Sequence, residues 1–225
     1  MKTIGTHNGS FHPDDVFAVA CIQLLEGKEN VKIVRTREQE TLDTCDWVVD
    51  VGREYDSERK RFDHHQPGAS ERENGIQYAA FGLIWKHYGE QLAGSAELAD
   101  KIAEKLVLPI DAHDVGITLY ETNELEIHPT QLFDVIYSFK PPWQSGGDMD
   151  TQFLHAVDFA RTYLERVIEQ GTAKLAMKAF AVELYESAAD KEVIVSDRYV
   201  STSQFIDFPE VAAVVTPDDN GSGNW

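Results

Sequence analysis

The chain is short of cysteine, of positive charge and of long apolar runs, and each shortage removes a class of function. Its 225 residues include two cysteines, Cys21 and Cys45, in unrelated contexts. Two such residues cannot build a disulfide framework or a cysteine-based zinc site, so a reducing cytoplasm is the expected compartment. No apolar stretch reaches the roughly 18 residues that a membrane-spanning helix needs, and the opening residues lack the apolar centre of a signal peptide. Twenty Lys and Arg stand against 39 Asp and Glu, a formal net charge of −19. A protein that grips duplex DNA by neutralising phosphates is expected to be basic, so duplex DNA is not an expected partner, and neither is a membrane.

What remains is the composition of a folded α/β protein, 42% hydrophobic and 10% aromatic, which is enough to bury a substantial core. Lys2–Thr6, Val31–Arg35 and Trp47–Val51 have the length and apolar content of buried strands. Between the first two, Val16, Phe17, Ala20, Cys21, Leu24 and Leu25 recur at helical spacing, with Asp14 and Asp15 at the start and Gly27 as the stop. Ile76–Leu92 and Glu97–Leu108 read as two more amphipathic helices. This alternation predicts a parallel sheet with helices on both faces. After Gly116 the pattern changes to a short helix over Thr130–Phe139 and a long one from Thr151 to about Ala189, interrupted at Gly171. Two β-like runs follow, Val193–Val200 and Val211–Thr216, then a turn-rich end at Pro217–Asn224 and Trp225. The expected domains are 1–125 and a smaller, shortened α+β domain over 126–225.

Chemistry-bearing residues gather in four places. They are Thr6-His7-Asn8-Gly9-Ser10-Phe11-His12-Pro13-Asp14-Asp15, Val48-Val49-Asp50-Val51-Gly52, Phe62-Asp63-His64-His65, and Pro109-Ile110-Asp111-Ala112-His113-Asp114-Val115-Gly116. Histidine and aspartate together suit borderline and hard divalent metals. Segments placed just after successive parallel strands converge at the carboxyl edge, where open α/β sheets carry their ligand sites. Singly, each aspartate reads as a turn or cap residue, and Asp14 and Asp15 as first-turn acids complementing a helix dipole. His87, His128 and His155 lack an acidic constellation and are assigned to surface or core, while His113 stays open between site and surface.

Asp63-His64-His65 resembles the signature of the DHH phosphoesterase superfamily. The run Gly5–His12 with its following acidic pair, Asp111–Gly116, and Phe139-Lys140-Pro141-Pro142-Trp143 are similar to the melanocyte-proliferating-gene (MYG) branch of that superfamily. The resemblance covers essentially the whole chain. It implies a DHH-type α/β fold and a hydrolytic site holding two divalent metals, normally Mn²⁺, with Mg²⁺, Co²⁺ and Zn²⁺ as alternatives. By motif position, His7, His12 and Asp50 would hold one metal. Asp14, Asp50, His64 and Asp111, with Asp114 as the alternative, would hold the other. Without metal, Asp14, Asp50 and Asp111 would repel one another. His65 would face the substrate phosphate, and Asp63 would orient a histidine. The implied activity is a nuclease-like phosphoester hydrolysis of RNA, from a 3′ end, acting on single strands or short oligonucleotides. A small-molecule phosphohydrolase acting on a dinucleotide or nucleotide, or a metal-binding protein without turnover, are the other readings, and self-association is left open. MYG proteins continue past the position of Trp225 with a closing basic, glycine and aromatic segment, so the second domain is expected to be shortened.

Overall fold

The computed structural model describes residues 1–122, 124–144 and 146–218. Residues 219–225, which hold most of the turn-rich end and Trp225, lie outside the described residues. The chain divides into two compact units, Met1–Ile168 and a second beginning at Glu169.

In the first unit β1 (Lys2–Thr6), β2 (Val31–Arg35), β3 (Trp47–Val49), β4 (Tyr55–Asp56) and β5 (Arg61–Phe62) form one sheet in the order β2-β1-β3-β5-β4. All neighbours are parallel except β4, which pairs antiparallel with β5 at the edge. Ile4 lies opposite Trp47 and Gly5 opposite Val48, so alternate residues serve the two faces. On one face Trp47 and Phe62 meet Tyr88 of α3 (Ala80–Ala93), with Trp47 and Tyr88 ring centroids 5.2 Å apart. Helix α1 (Pro13–Glu26) packs beside α3 and is buried without a break from Pro13 to Gln23. On the other face Val34, Val48 and Val51 close on Leu42 of α2 (Gln39–Asp43) and on Cys45. Gly5 makes that approach possible, because a Cβ there would stand 2.9 Å from Leu42 Cδ2 and 3.1 Å from Cys45 Sγ. Cys21 and Cys45 are both free and buried.

Several boundaries differ from the sequence reading. The strand at Trp47 ends at Val49, because Asp50 turns into a left-handed conformation with φ 56°. The helix expected from Ile76 begins at Ala80, after a turn closed by a bridge between Glu71 and Gln77. The helix expected over Glu97–Leu108 is a longer composite. It runs through α4 (Ala96–Ile102), a π-helical turn at Ala103–Val107 and α5 (Leu108–Asp114), with Pro109 near the start of α5. Proline has no N–H to offer the carbonyl four residues back, and a wider turn before it accommodates that loss. After α6 (Leu132–Tyr137), the long helix α7 (Met149–Ser187) passes Gly171 uninterrupted. One helical glycine costs about 1 kcal/mol, too little to break a helix of that length. No helix among the described residues is long and apolar enough to cross a membrane.

In the second unit β6 (Val193–Val195) and β7 (Ala213–Val215) pair in parallel. Ala181, Ile194, Val200 and Phe205 form its buried centre, and Tyr185 stacks on Phe208 at 4.2 Å.

One buried carboxylate locks α5 against α3. Asp111, fully buried, takes Arg72 Nη2 on one oxygen and the Gly82 N–H, at 3.0 Å, on the other. That N–H belongs to the first turn of α3, whose own N-cap residue is Ala79 and supplies no side-chain acceptor, so Asp111 caps α3 from another helix. Burial pushes the Asp111 carboxyl up to about 7 even against the pull of Arg72. A Cβ on Gly82 would fall 1.7 Å from Asp111 Oδ2. Gly82→Ala is therefore expected to destabilise the protein by roughly 1–3 kcal/mol, a fall of several degrees in Tm. Thermal unfolding of the metal-free protein measures it, and an unchanged Tm would mean that the pair is free to move aside.

Candidate metal centre

The parallel strands deliver the site residues one step beyond their carboxyl ends. His7 follows β1, Asp50 follows β3, and Asp63, His64 and His65 follow β5. Because the chain crosses from one side of β1 to the other between β2 and β3, a crevice opens between the ends of β1 and β3. His7 and Asp50 meet across it, with Nε2 3.2 Å from Asp50 Oδ2. The loop between β1 and α1 is anchored from outside by Arg35, whose guanidinium donates to Gly9 O at 2.8 Å and pairs with Asp150 at 2.6 Å. Phe11 closes edge-on against Phe153 beneath it.

Around this crevice the structure gathers His7, His12, Asp14, Asp50, Asp63, His64, His65 and Asp114. Three overlapping groups each offer donor atoms within 4.8 Å of one another: Asp50 with Asp63, His64 and His65; His7 with His12 and Asp50; and His12 with Asp14 and Asp114. Asp50 Oδ1 lies 3.1 Å from His64 Nε2, and the same nitrogen is 3.3 Å from Asp114 Oδ2 and 3.7 Å from Asp14 Oδ2. Neither oxygen of the fully buried Asp14 has a hydrogen-bond partner among the described residues. A buried carboxylate without a hydrogen-bond partner is suited to holding a cation, since burial of an unpaired charge otherwise costs several kcal/mol. The oxygen and imidazole donors present suit divalent metals.

The electrostatics follow from this crowding. Burial raises Asp14 well above the usual carboxylate range, and the charges of Asp50 and Asp114 raise it further. Burial also works against charge on Asp50, but hydrogen bonds from His64 and His7 hold it well below the usual range. Burial alone would lower His7, yet hydrogen bonds to Asp15 and Asp50 outweigh it and push the imidazole up to about 10. His64 is raised in the same way by Asp50.

Asp111 stands apart from this cluster, turned to Arg72 and Gly82, whereas Asp114, three residues on, faces His64. His113 Nε2 is 3.2 Å from the Tyr137 hydroxyl and its ring stacks on Phe133 at 3.5 Å, so it belongs to none of the donor groups. Asp63 is buried, and its Oδ1 accepts from His65 Nδ1 at 2.7 Å and from the His64 N–H at 2.7 Å, while Oδ2 takes the Arg53 N–H. Asp15 is more than a first-turn acid. Its Oδ1 takes the His12 N–H at 2.9 Å and its Oδ2 lies 3.1 Å from His7 Nε2. The one sequence signal for that role was its place three residues after His12, the spacing of a capping box. Arg37 and Arg53 also line the cavity in front of the cluster, which holds about 340 Å³, and nothing in the sequence pattern singled them out.

At neutral pH the metal-free site holds a proton on His7, and a histidine ligand must be neutral. Uptake of a divalent cation is therefore expected to release about one proton or more per chain and to tighten as pH rises through the neutral range. Titration calorimetry in buffers of different ionisation enthalpy reads the proton count, and binding with no proton release would mean that His7 stays outside the coordination.

Comparisons with known proteins place the chain in a family. A family profile described as an uncharacterised protein family (UPF0160), under the name MYG1 exonuclease, matches residues 3–214. The chain is 38% identical over 186 residues to a bovine MYG1 exonuclease, which covers 73% of the chain and 49% of the relative. It is 36% identical over 187 residues to the human MYG1 exonuclease, covering 73% and 50%. A MYG1 protein of Schizosaccharomyces pombe is 30% identical over 224 residues, covering 88% and 68%. The chain thus spans about half the length of the mammalian relatives it matches. No solved structure matches it significantly. With His7, Asp50 and Asp63–His65 lying inside the matched span, the chain belongs to the MYG1 exonuclease family.

Proposed function

We propose that the chain is a metal-dependent phosphoesterase of the DHH type, charged with two Mn²⁺ ions, that cuts phosphodiester bonds of single-stranded RNA from a 3′ end. The observation that carries it is the place of Asp50, a member of two donor groups at once, with His7 on one side and His64 on the other. The printed names of the mammalian relatives support the nuclease class. In this reading His7, His12 and Asp50 hold one cation, and Asp14, Asp50, His64 and Asp114 the other. Asp114 takes the position that motif order gave to Asp111, whose oxygens are already engaged by Arg72 and Gly82.

Such a pair of cations, when bound, supplies positive charge to phosphoryl oxygens and acidifies water between them. The protein's own groups prepare that event. Asp15 orients His7 by meeting its Nε2 edge in the metal-free state and holds the loop through the His12 N–H. Asp63 fixes His65 through Nδ1, which leaves Nε2 as the nitrogen available to a substrate oxygen. His65 is half-exposed and lines the cavity, so it is placed to donate to a developing phosphoryl charge. A second reading, hydrolysis of a dinucleotide or nucleotide, is favoured by the cavity's 340 Å³, near the lower end of the range for small-ligand sites.

The test combines elemental analysis after Mn²⁺ loading with hydrolysis of bis-p-nitrophenyl phosphate, then of a short RNA, the matching DNA and a dinucleotide. About two ions per chain and preference for RNA are expected. A Mn²⁺-loaded protein that cleaves only the dinucleotide supports the second reading, and one that cleaves nothing is a metal-binding protein without turnover.

Substitutions divide the roles. Asp114→Ala is expected to lose one metal while keeping the metal-free Tm. Asp111→Ala should keep metal capacity and lose stability, by roughly 3–5 kcal/mol if Arg72 is left unpaired. The reverse pattern would return the ligand role to Asp111. Without metal, Asp14→Asn should hold or raise Tm, since it removes a crowded carboxyl, whereas Asp50→Asn should lower it by breaking the contacts with His7 and His64. His65→Ala should keep metal and slow hydrolysis at saturating substrate by about 10²–10³. An unchanged kcat in that variant would remove His65 from the chemistry.

A further inference from the structure

Two arginines face the carboxylate cluster without any carboxylate of their own. Arg37 lies two residues beyond the end of β2, and Arg53 lies in the loop between β3 and β4. Both are exposed, and both line the same cavity as His7, His12, Asp50 and His65. Neither guanidinium has an ion pair or a hydrogen bond among the described residues. The contrast with Arg35 is sharp, because that side chain is buried and committed to Asp150 and Gly9. In a chain with 39 acidic and 20 basic residues, a cation beside several carboxylates and paired with none is unusual. Each of these two lines the cavity without pairing with the acids that line it too.

The backbone at Arg53 strengthens the case. Its φ is 55°, in the left-handed region where glycine or asparagine sits without strain and arginine does not. It follows Gly52, at φ 98°, in a loop held by the Arg53 N–H on Asp63 Oδ2 at 2.5 Å. The conformation is imposed by Asp63, which also fixes His65, so nothing about the turn itself calls for a long cationic side chain.

We infer that Arg37 and Arg53 form an anion subsite at the mouth of the metal centre that grips a substrate phosphate, making phosphorylated ends or phosphate-flanked esters the preferred substrates. A guanidinium presents paired N–H donors that match phosphate oxygens. The subsite also answers the charge problem of a −19 protein that acts on a polyanion, since two exposed arginines line the same cavity as the histidines and carboxylates. The inference rests on the metal-centre reading for the position of the scissile bond, but the two are separable by experiment.

The full chain, loaded with Mn²⁺, is titrated with adenosine 5′-monophosphate and with adenosine by calorimetry, while the metal content of each sample is read by elemental analysis. Wild type is expected to bind the monophosphate more tightly than the nucleoside. Arg37→Gln and Arg53→Gln should each weaken monophosphate binding about tenfold, with metal content unchanged and adenosine binding unaffected. Arg53→Gly should lose the same affinity while holding or raising Tm, because it relieves the left-handed backbone; a structural arginine would lower Tm and leave the affinity alone. Monophosphate binding in the double glutamine variant within twofold of wild type, at equal metal content, overturns the subsite and leaves the metal centre standing. So does a metal-loaded wild type that does not distinguish the monophosphate from adenosine. If wild type takes up no metal, the metal-centre reading fails on its own. The arginines are then judged on inorganic phosphate added to the metal-free protein: binding lost in the double variant upholds them, and no binding to wild type overturns them.

Discussion

Everything at this site depends on a group of carboxylates forced into one poorly hydrated crevice. Asp14, Asp15 and Asp50 are all buried, and Asp114 is close behind them. Burial limits their access to solvent, and like charges so near one another cannot all ionise without a counter-charge. In the metal-free protein His7 and His64 are each wedged against Asp50, which draws both imidazoles toward their protonated form. Asp14 gains less from them, with His64 Nε2 3.7 Å from its Oδ2 and no hydrogen bond on either oxygen among the described residues. The fold stabilises an arrangement that is comfortable only when positive charge arrives from outside.

The scaffold tolerates this because the stress is confined to the carboxyl edge of the sheet. Below it, Ile4, Trp47, Val49 and Phe62 are packed against α1 and α3 with almost no exposure. A further buried carboxylate, Asp111, looks at first like part of the same cluster but is a structural element. Its charge is matched by Arg72, and it supplies the cap that Ala79 cannot. Two aspartates three residues apart on one short helix therefore do opposite jobs, one tying α5 to α3 and the other facing the crevice.

The sequence was most informative where physics is local. β1, β2 and α1 lie where alternation and helical spacing placed them, and Gly27 ends α1 with a φ of 86° that few other residues adopt. The convergence of His7, Asp50 and His64 was legible because strand ends in a parallel sheet share one edge. What was not legible depends on contacts distant in sequence. β4 and β5 are two residues each, too short to carry a period, and exist because they pair with each other and with β3. The choice between Asp111 and Asp114 turns on the rotation of α5, which spacing alone does not specify. Arg37 and Arg53 read as ordinary surface charges until the cavity between them is seen.

That rotation has its origin more than one turn upstream. α4 and α5 are one continuous rod joined by the π-helical turn at Ala103–Val107, and the extra winding there sets the angular phase of every side chain that follows. Each residue of an α-helix advances the phase by about 100°. Were all five residues of the π segment to wind as a regular α-helix, the Asp111 and Asp114 side chains would swing about a quarter-turn around the axis. Asp111 would leave its partner and Asp114 would leave the crevice, although no residue of the site had been altered. A chain that lost one residue between Ala103 and Val107 would keep the site by losing the wider turn with it, whereas a chain that kept all five could not give the turn up.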